Sequence, residues 1–259
     1  MIYIIPIIDL NSDNKYLKQA ILNIVSLRKC NTEDRVILYD STISRSVESV
    51  GVIDKSKEDL NYEYINDIYY DSEYWKSNVY GKLMGNRQWA ICYGLDTLEE
   101  PFIVIESDII WLQKLIFNET YKDKDILTHY WNNVNGKQMV SDHLLLFNIN
   151  ENTKDFGHLY RVMYKGLLYN KDLNYFVKYI SRENGSNKNM TLNSESGFEI
   201  TLNTFKNIKI DDVRKYCTNM DNSYFHYAHY KTNREDVIKP MRFDKMRSYF
   251  YDFNYLDVL

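Results

Sequence analysis

Proline and glycine are scarce, with 3 and 9 among 259 residues. This excludes collagen-like and proline-rich low-complexity chains and leaves no composition break to mark a linker, so a single domain spanning 1–259 is expected. The three cysteines, Cys30, Cys92 and Cys217, are odd in number and far apart. They form neither a disulfide framework nor a CxxC metal site, which fits a reducing, cytoplasmic setting. No apolar run approaches the roughly 18 residues needed to cross a bilayer, so integral membrane contact is not expected. The opening Met1–Leu10 is apolar, but it lacks a basic start and is interrupted by Pro6 and Asp9, so it reads as a first core strand rather than an export signal. There is no basic excess either. A net charge of −4 argues against a generally nucleic-acid-binding surface and leaves room only for a local basic groove.

What is present is a globular pattern. Hydrophobic residues at 44% and charged residues at 26% place the chain outside the disordered class. The 24 tyrosines suit half-buried strand positions as well as stacking on a ring. Ile2 to Ile8 is a continuous apolar run, as in a strand covered on both faces. Asn11–Asn14 then offers a helix cap, and Leu17, Ala20, Ile21, Ile24 and Leu27 follow at helical spacing. Arg35–Tyr39 reads as a second strand ending at Asp40, Ser41 to Asp59 as a connection of little periodicity, and a third strand falls within Tyr62 to Tyr70. A helix is expected from about Asn78 to Tyr93, ending before Gly94, and Phe102–Glu106 is the clearest buried strand. Further strands are expected at Asp125–Trp131 and His143–Phe147, and helices at Thr153–Leu168 and from near Ser194. This order predicts an α/β fold, with a mostly parallel central sheet and a smaller antiparallel extension. Ligands of such sheets bind beyond the carboxyl ends of the strands, which places Asp9, Asp40, Glu106 and Asp108 on one rim.

Glu106-Ser107-Asp108 closes the clearest strand with two carboxylates one residue apart. Both can turn toward a shared ligand, and a hard divalent cation relieves their repulsion while a nucleoside diphosphate supplies further oxygens. The plain alternative is that they cap a helix starting near Ile109. Asn86-Arg87-Gln-Trp-Ala90, Gly94-Leu95 and Glu100-Pro-Phe-Ile-Val-Ile-Glu-Ser-Asp108 follow in order, after Ile4-Ile-Pro-Ile-Ile-Asp9 and Val36-Ile-Leu-Tyr-Asp40. Residues 1–112 resemble the nucleotide-sugar-binding half of GT-A glycosyltransferases, with 113–259 left as the acceptor half and a C-terminal metal and phosphate segment. The resemblance implies a single Rossmann-like domain and a divalent metal, Mn²⁺ or Mg²⁺, held at the DxD-like motif. Asp108 is the implied metal ligand. Glu106 stands where the family has Asp, and its longer carboxylate reaches a metal, a ribose hydroxyl or a metal-bound water. Pro6, Asp9, Asp40, Arg87, Ser107 and Lys231 are the implied nucleotide-sugar contacts, with Asp40 near the base. Arg87 has an alternative partner in Asp96 or Glu99.

Tyr224-Phe-His-Tyr-Ala-His-Tyr-Lys231 resembles the late metal-binding histidine of these enzymes followed by a phosphate-facing lysine. His226 and His229 both qualify, and the basic cluster after it favours His229. His129 and His143 have no recognised spacing to the acidic pair. An inverting transfer needs a carboxylate base, for which Glu195 and Glu199 in Ser194-Glu-Ser-Gly-Phe-Glu199 are candidates, and Asp142 competes. A capping role for Glu195 is the ordinary alternative.

The implied function is transfer of a sugar from a UDP- or GDP-type donor to a hydroxyl on a glycan or on a hydroxymethylated DNA base. The DNA reading draws on the compact Asn/Lys/Tyr-rich composition, similar to phage-encoded proteins acting in a host cytoplasm. It also draws on Lys239, Arg242, Lys245 and Arg247 among Phe243, Tyr249, Phe250 and Tyr251. The rivals are a nucleotidyltransferase, which usually needs a Gly-rich phosphate loop not visible here, and a sugar- or nucleotide-binding module without turnover. Oligomeric state is not legible.

Overall fold

A computed structural model describes residues 1–9, 14–30, 33–68, 79–132, 138–169, 198, 201–202, 204–220 and 224–226. The chain divides into two compact units. The first holds Ile2–Ile68, Glu106–Phe117 and Cys217–Leu259; the second holds Met1, Tyr69–Ile105 and Asn118–Tyr216.

In the first unit β1 (Ile2–Ile7), α1 (Lys15–Lys29), β2 (Arg35–Asp40), α2 (Val47–Leu60) and β3 (Glu63–Asn66) alternate. β2 pairs in parallel with both β1 and β3, Ile37 lying opposite Ile4 and Leu38 opposite Tyr64. All six β1 residues are buried, as the unbroken apolar run requires. Of the Asn11–Asn14 segment expected to cap the next helix, residues 11–13 lie outside the described residues. Asn14 precedes α1 in the left-handed region at φ 49° with no side-chain bond to the helix, and Asp9 accepts the backbone N–H of Tyr16 and Leu17 at 2.8 and 3.1 Å.

The stretch expected to be an irregular connection contains α2. Ser46 caps it through the N–H of Ser49, and Asn61 ends it at φ 50°. The helical period was hidden because two of its buried positions, Ser49 and Ser56, are polar; the Ser56 hydroxyl bonds Ile53 O and Tyr62 Oη.

In the second unit β4 (Phe102–Ile105) and β6 (Ile126–Asn132) each pair antiparallel with β7 (Gln138–Phe147), while β8 (Ile210–Asp212) runs parallel to β6. Among the described pairings of these strands, β1–β2, β2–β3 and β6–β8 are parallel and β4–β7 and β6–β7 antiparallel. The architecture is therefore the expected mixed α/β type, with antiparallel strands confined to the later part. β5 (Ile109–Trp111) and β9 (Tyr224–His226) form a separate antiparallel ribbon within the first unit.

Helix α3 (Val79–Thr97) runs through Gly94 instead of ending before it, with Leu98 N–H bonding Gly94 O at 3.0 Å. The reason is its neighbour α4 (Glu151–Tyr169). Leu95 is fully buried, and a Cβ on Gly157 would stand 2.5 Å from Leu95 Cδ1 and 3.3 Å from Leu95 Cβ. Gly157→Ala is therefore expected to destabilise the protein by about 1–3 kcal/mol, the usual cost of overpacking. Urea unfolding checks this, and an unchanged midpoint would remove the close approach as its cause. Phe147, Phe156, Tyr160 and Phe198 fill the core beside these helices with mutual edge and stacked contacts.

Candidate active site

Buried apolar β4 reaches its end at Ile105, and Ser107 and Asp108 form a turn. Glu106 and Asp108 are half-buried, whereas Ser107 between them is buried. The chain then enters β5, three fully buried residues, so there is no helix at Ile109 for the two carboxylates to cap. The ordinary structural reading of the acidic pair is removed by that strand. Ile109-Ile110-Trp111 are β-branched and aromatic, which favours extended backbone.

What holds this turn lies on α1. Gln19, Asn23 and Ser26 recur at helical spacing on the buried side of the helix, among the apolar residues that predicted it. Asn23 is fully buried; its amide donates to Glu106 O at 2.9 Å and accepts the indole N–H of Trp111 at 2.8 Å. The Ser26 hydroxyl accepts the Trp111 backbone N–H at 2.9 Å and donates to Asn23 O at 2.7 Å. Ser107 Oγ donates to Gln19 Oε1 across a longer 3.4 Å. Tyr3 of β1 packs edge-on against Trp111, with ring centroids 5.5 Å apart. On the other side of β5, His226 of β9 stands opposite Ile109, one residue beyond Asp108.

A second charged group lies at the ends of β1 and β2. Arg45 donates from Nη1 to Asp9 Oδ2 at 2.6 Å and from Nε to Asp40 Oδ2 at 2.8 Å, with Nη2 2.7 Å from the same Asp40 oxygen. The three side chains are 5%, 1% and 0% exposed. Asp40 also accepts the Thr42 N–H and the Tyr64 hydroxyl, so its carboxylate is engaged on every side the fold presents. Burial opposes the Arg45 charge, but Asp40 and Asp9 outweigh it and hold the guanidinium above its ordinary pKa. Burial and the Asp40 carboxylate push the Tyr64 phenol up in the same way. Asp9 and Asp40 do come to neighbouring strand ends, as the α/β rule requires, but Arg45 joins them there. The sequence reading missed Arg45; its signal was a lone arginine five residues past the acidic end of a strand.

No family model matches the sequence, and no curated protein does. The chain is similar in backbone path to solved glycosyltransferases. These include the apo form of GlyE from Streptococcus pneumoniae TIGR4, at 12% identity and TM-score 0.45 over 83% of this chain and 45% of that one. The galactosyltransferase LgtC, solved with donor and acceptor sugar analogues, gives 9% identity and TM-score 0.45 over 82% and 73%. The PaToxG glycosyltransferase gives 15% and 0.39 over 78% and 68%. At these scores the likeness is one of partial backbone path alone, and this chain spans less than half the length of GlyE.

The other expected site residues divide into two groups. Pro6 is buried in β1, opposite Tyr39. Arg87 lies half-buried in α3 of the second unit, and one of the partners expected for it, Asp96, pairs with Arg161. Asp142 lies in β7. His129 and His143 meet edge-on with centroids 5.2 Å apart, and His143 Nδ1 contacts Ser141 Oγ. Glu195, Glu199, His229, Lys231 and the basic-aromatic tail 239–251 lie outside the described residues. Among the described residues no three His, Cys, Asp or Glu side chains gather into a ready-made cation site, and no helix is long and apolar enough to cross a membrane.

Proposed function

We propose that the protein is a metal-dependent glycosyltransferase moving a sugar from a UDP- or GDP-type donor to an acceptor hydroxyl. The observation that carries this reading is the Glu106-Ser107-Asp108 turn. Two half-buried carboxylates stand one residue apart at the end of a buried strand, on backbone held by a buried helix face. Hard oxygen donors at this spacing fit Mg²⁺ or Mn²⁺. Asp108 would hold the metal with Glu106 as its companion, and His229, three residues past the β9 end, would supply a further ligand. When bound, the metal supplies charge neutralisation for the departing diphosphate.

The chain's own residues account for the rest of the transfer. A carboxylate, with Glu199, Glu195 and Asp142 as the candidates, takes the proton of the acceptor hydroxyl as its oxygen bonds to the anomeric carbon. The bond from that carbon to the diphosphate oxygen breaks, and its electron pair leaves with the diphosphate. Lys231 would neutralise that leaving charge. Arg87 contacts the donor. Asp9 and Asp40 act through Arg45, fixing the strand-end loop on which the base rests.

A thermal-shift screen of UDP-, GDP-, ADP- and CDP-sugars with and without Mn²⁺ tests this reading. One nucleotide family is expected to raise Tm only when Mn²⁺ is present. The stabilisation is about 2.7 kcal/mol when the donor is at one hundred times its Kd. No response to any donor, or a response indifferent to the metal, would count against it. Slow release of free sugar from the stabilising donor separates an enzyme from a module that only binds.

A further inference from the structure

Burying two amides and a hydroxyl on a helix face gains little stability. Each intramolecular hydrogen bond contributes about 1 kcal/mol net, close to what apolar replacements of similar shape would give. What the polar face of α1 does supply is direction. Apolar contacts allow a loop to slide, whereas an amide bonded at both ends sets one register. Asn23 is bonded at both ends of one six-residue segment. Its Nδ2 holds the carbonyl of Glu106 and its Oδ1 holds the indole of Trp111, while Ser26 takes the Trp111 amide. The peptide leaving Glu106 is thereby oriented, and with it the backbone from which the Glu106 and Asp108 carboxylates project. None of the four groups, Asn23, Ser26, Trp111 and the Glu106 carbonyl, belongs to the acidic pair's own side chains.

We infer that Asn23 is a positioning residue for the cation-binding pair, and that its bond to the Glu106 carbonyl sets the affinity of Glu106 and Asp108 for a divalent metal. The inference rests on the metal-dependent reading of that pair. Groups bonded directly to a metal's ligands typically change its affinity by about 10–100-fold; Asn23 acts on the Glu106 backbone carbonyl, from which the carboxylate projects. Trp111 is the other arm of the same clamp. Losing its indole donor leaves the Glu106 bond in place, so the two arms separate orientation of the acidic turn from stability of the ribbon.

The test is a titration with Mn²⁺, followed by the electron paramagnetic resonance signal of the free ion, in the presence of saturating UDP and, in parallel, GDP. The full-length protein is compared with Asn23→Leu, which removes both bonds, and Trp111→Phe, which removes only the indole donor. Thermal unfolding is followed alongside. Asn23→Leu is expected to weaken Mn²⁺ binding by at least about tenfold. Trp111→Phe is expected to lose comparable stability yet bind Mn²⁺ within about twofold of the parent. If Asn23→Leu does not fold, Asn23→Ala replaces it, since it removes the amide donor to Glu106 without adding a charge; the same weakening is expected. Unchanged Mn²⁺ binding in the folded Asn23 variant, or equal weakening in Trp111→Phe, overturns the inference while leaving the metal-dependent reading intact. Absence of Mn²⁺ binding in the parent protein with either nucleotide overturns both.

Discussion

Asp108→Ala is expected to lower kcat/KM for sugar transfer on the order of 10³-fold, the scale seen when a group stabilising transition-state charge is removed. The same variant is expected to stay folded, because the backbone of the turn is held by Asn23 and that of β5 by Ser26. This pairing of outcomes makes the result informative. A residue that merely caps or packs would lose stability and activity together, as Gly157→Ala should. In the thermal-shift screen the variant should start at the parent's Tm and fail to rise with donor and Mn²⁺. Full activity in Asp108→Ala, or an undiminished metal-dependent rise, would sink the assignment of the acidic turn.

The second large effect is on stability. Arg45→Met is expected to destabilise the fold by about 3–5 kcal/mol, because it leaves Asp9 and Asp40 buried as like charges without a cation. For a chain of this size that corresponds to a fall in Tm on the order of 10 °C. Arg45→Lys keeps the charge but not the fork that reaches Asp9 through Nη1 and Asp40 through Nε and Nη2, so it should fall between the two. Urea unfolding of the three proteins gives the order. Arg45→Met at the parent's stability would mean that water or another group reaches the carboxylates and that they are not sealed. Because Asp9 also caps α1, the loss of Arg45 should loosen the start of that helix first, and hydrogen exchange at Tyr16 and Leu17 would show it.

The residues that were easy to place from sequence are those whose environment is uniform. Ile2–Ile7 and Phe102–Ile105 are buried on both faces, so their apolar runs carry no ambiguity, and the acidic turn at the end of the second run was visible for the same reason. The α2 helix was hidden because Ser49 and Ser56 occupy inward positions and satisfy themselves locally or through Tyr62, which breaks the apolar period without breaking the helix. Asn23 was passed over on α1 because its partners lie more than eighty residues away, and a stripe of polar residues at helical spacing reads as a solvated face until something covers it. Arg45 was passed over on similar grounds, since only Asp40 is near it in sequence and its other partner, Asp9, is remote. The strand at Ile109–Trp111 is three residues long, too short for any periodicity to distinguish it from the start of a helix.

The ribbon of β5 and β9 also has a consequence in time. The first unit is assembled from Ile2–Ile68, Glu106–Phe117 and the stretch beginning at Cys217, so its early strands are made long before the partner of Ile109–Trp111 exists. At about 5–20 residues per second, the ribosome takes roughly 6 to 23 s to pass from Trp111 to Tyr224, where β9 starts. During that interval the nascent chain holds the acidic turn and Trp111 with one flank of β5 still unpaired. Folding of the candidate site is therefore a late event in synthesis, and a chaperone that shields exposed apolar strand edges would act in that window.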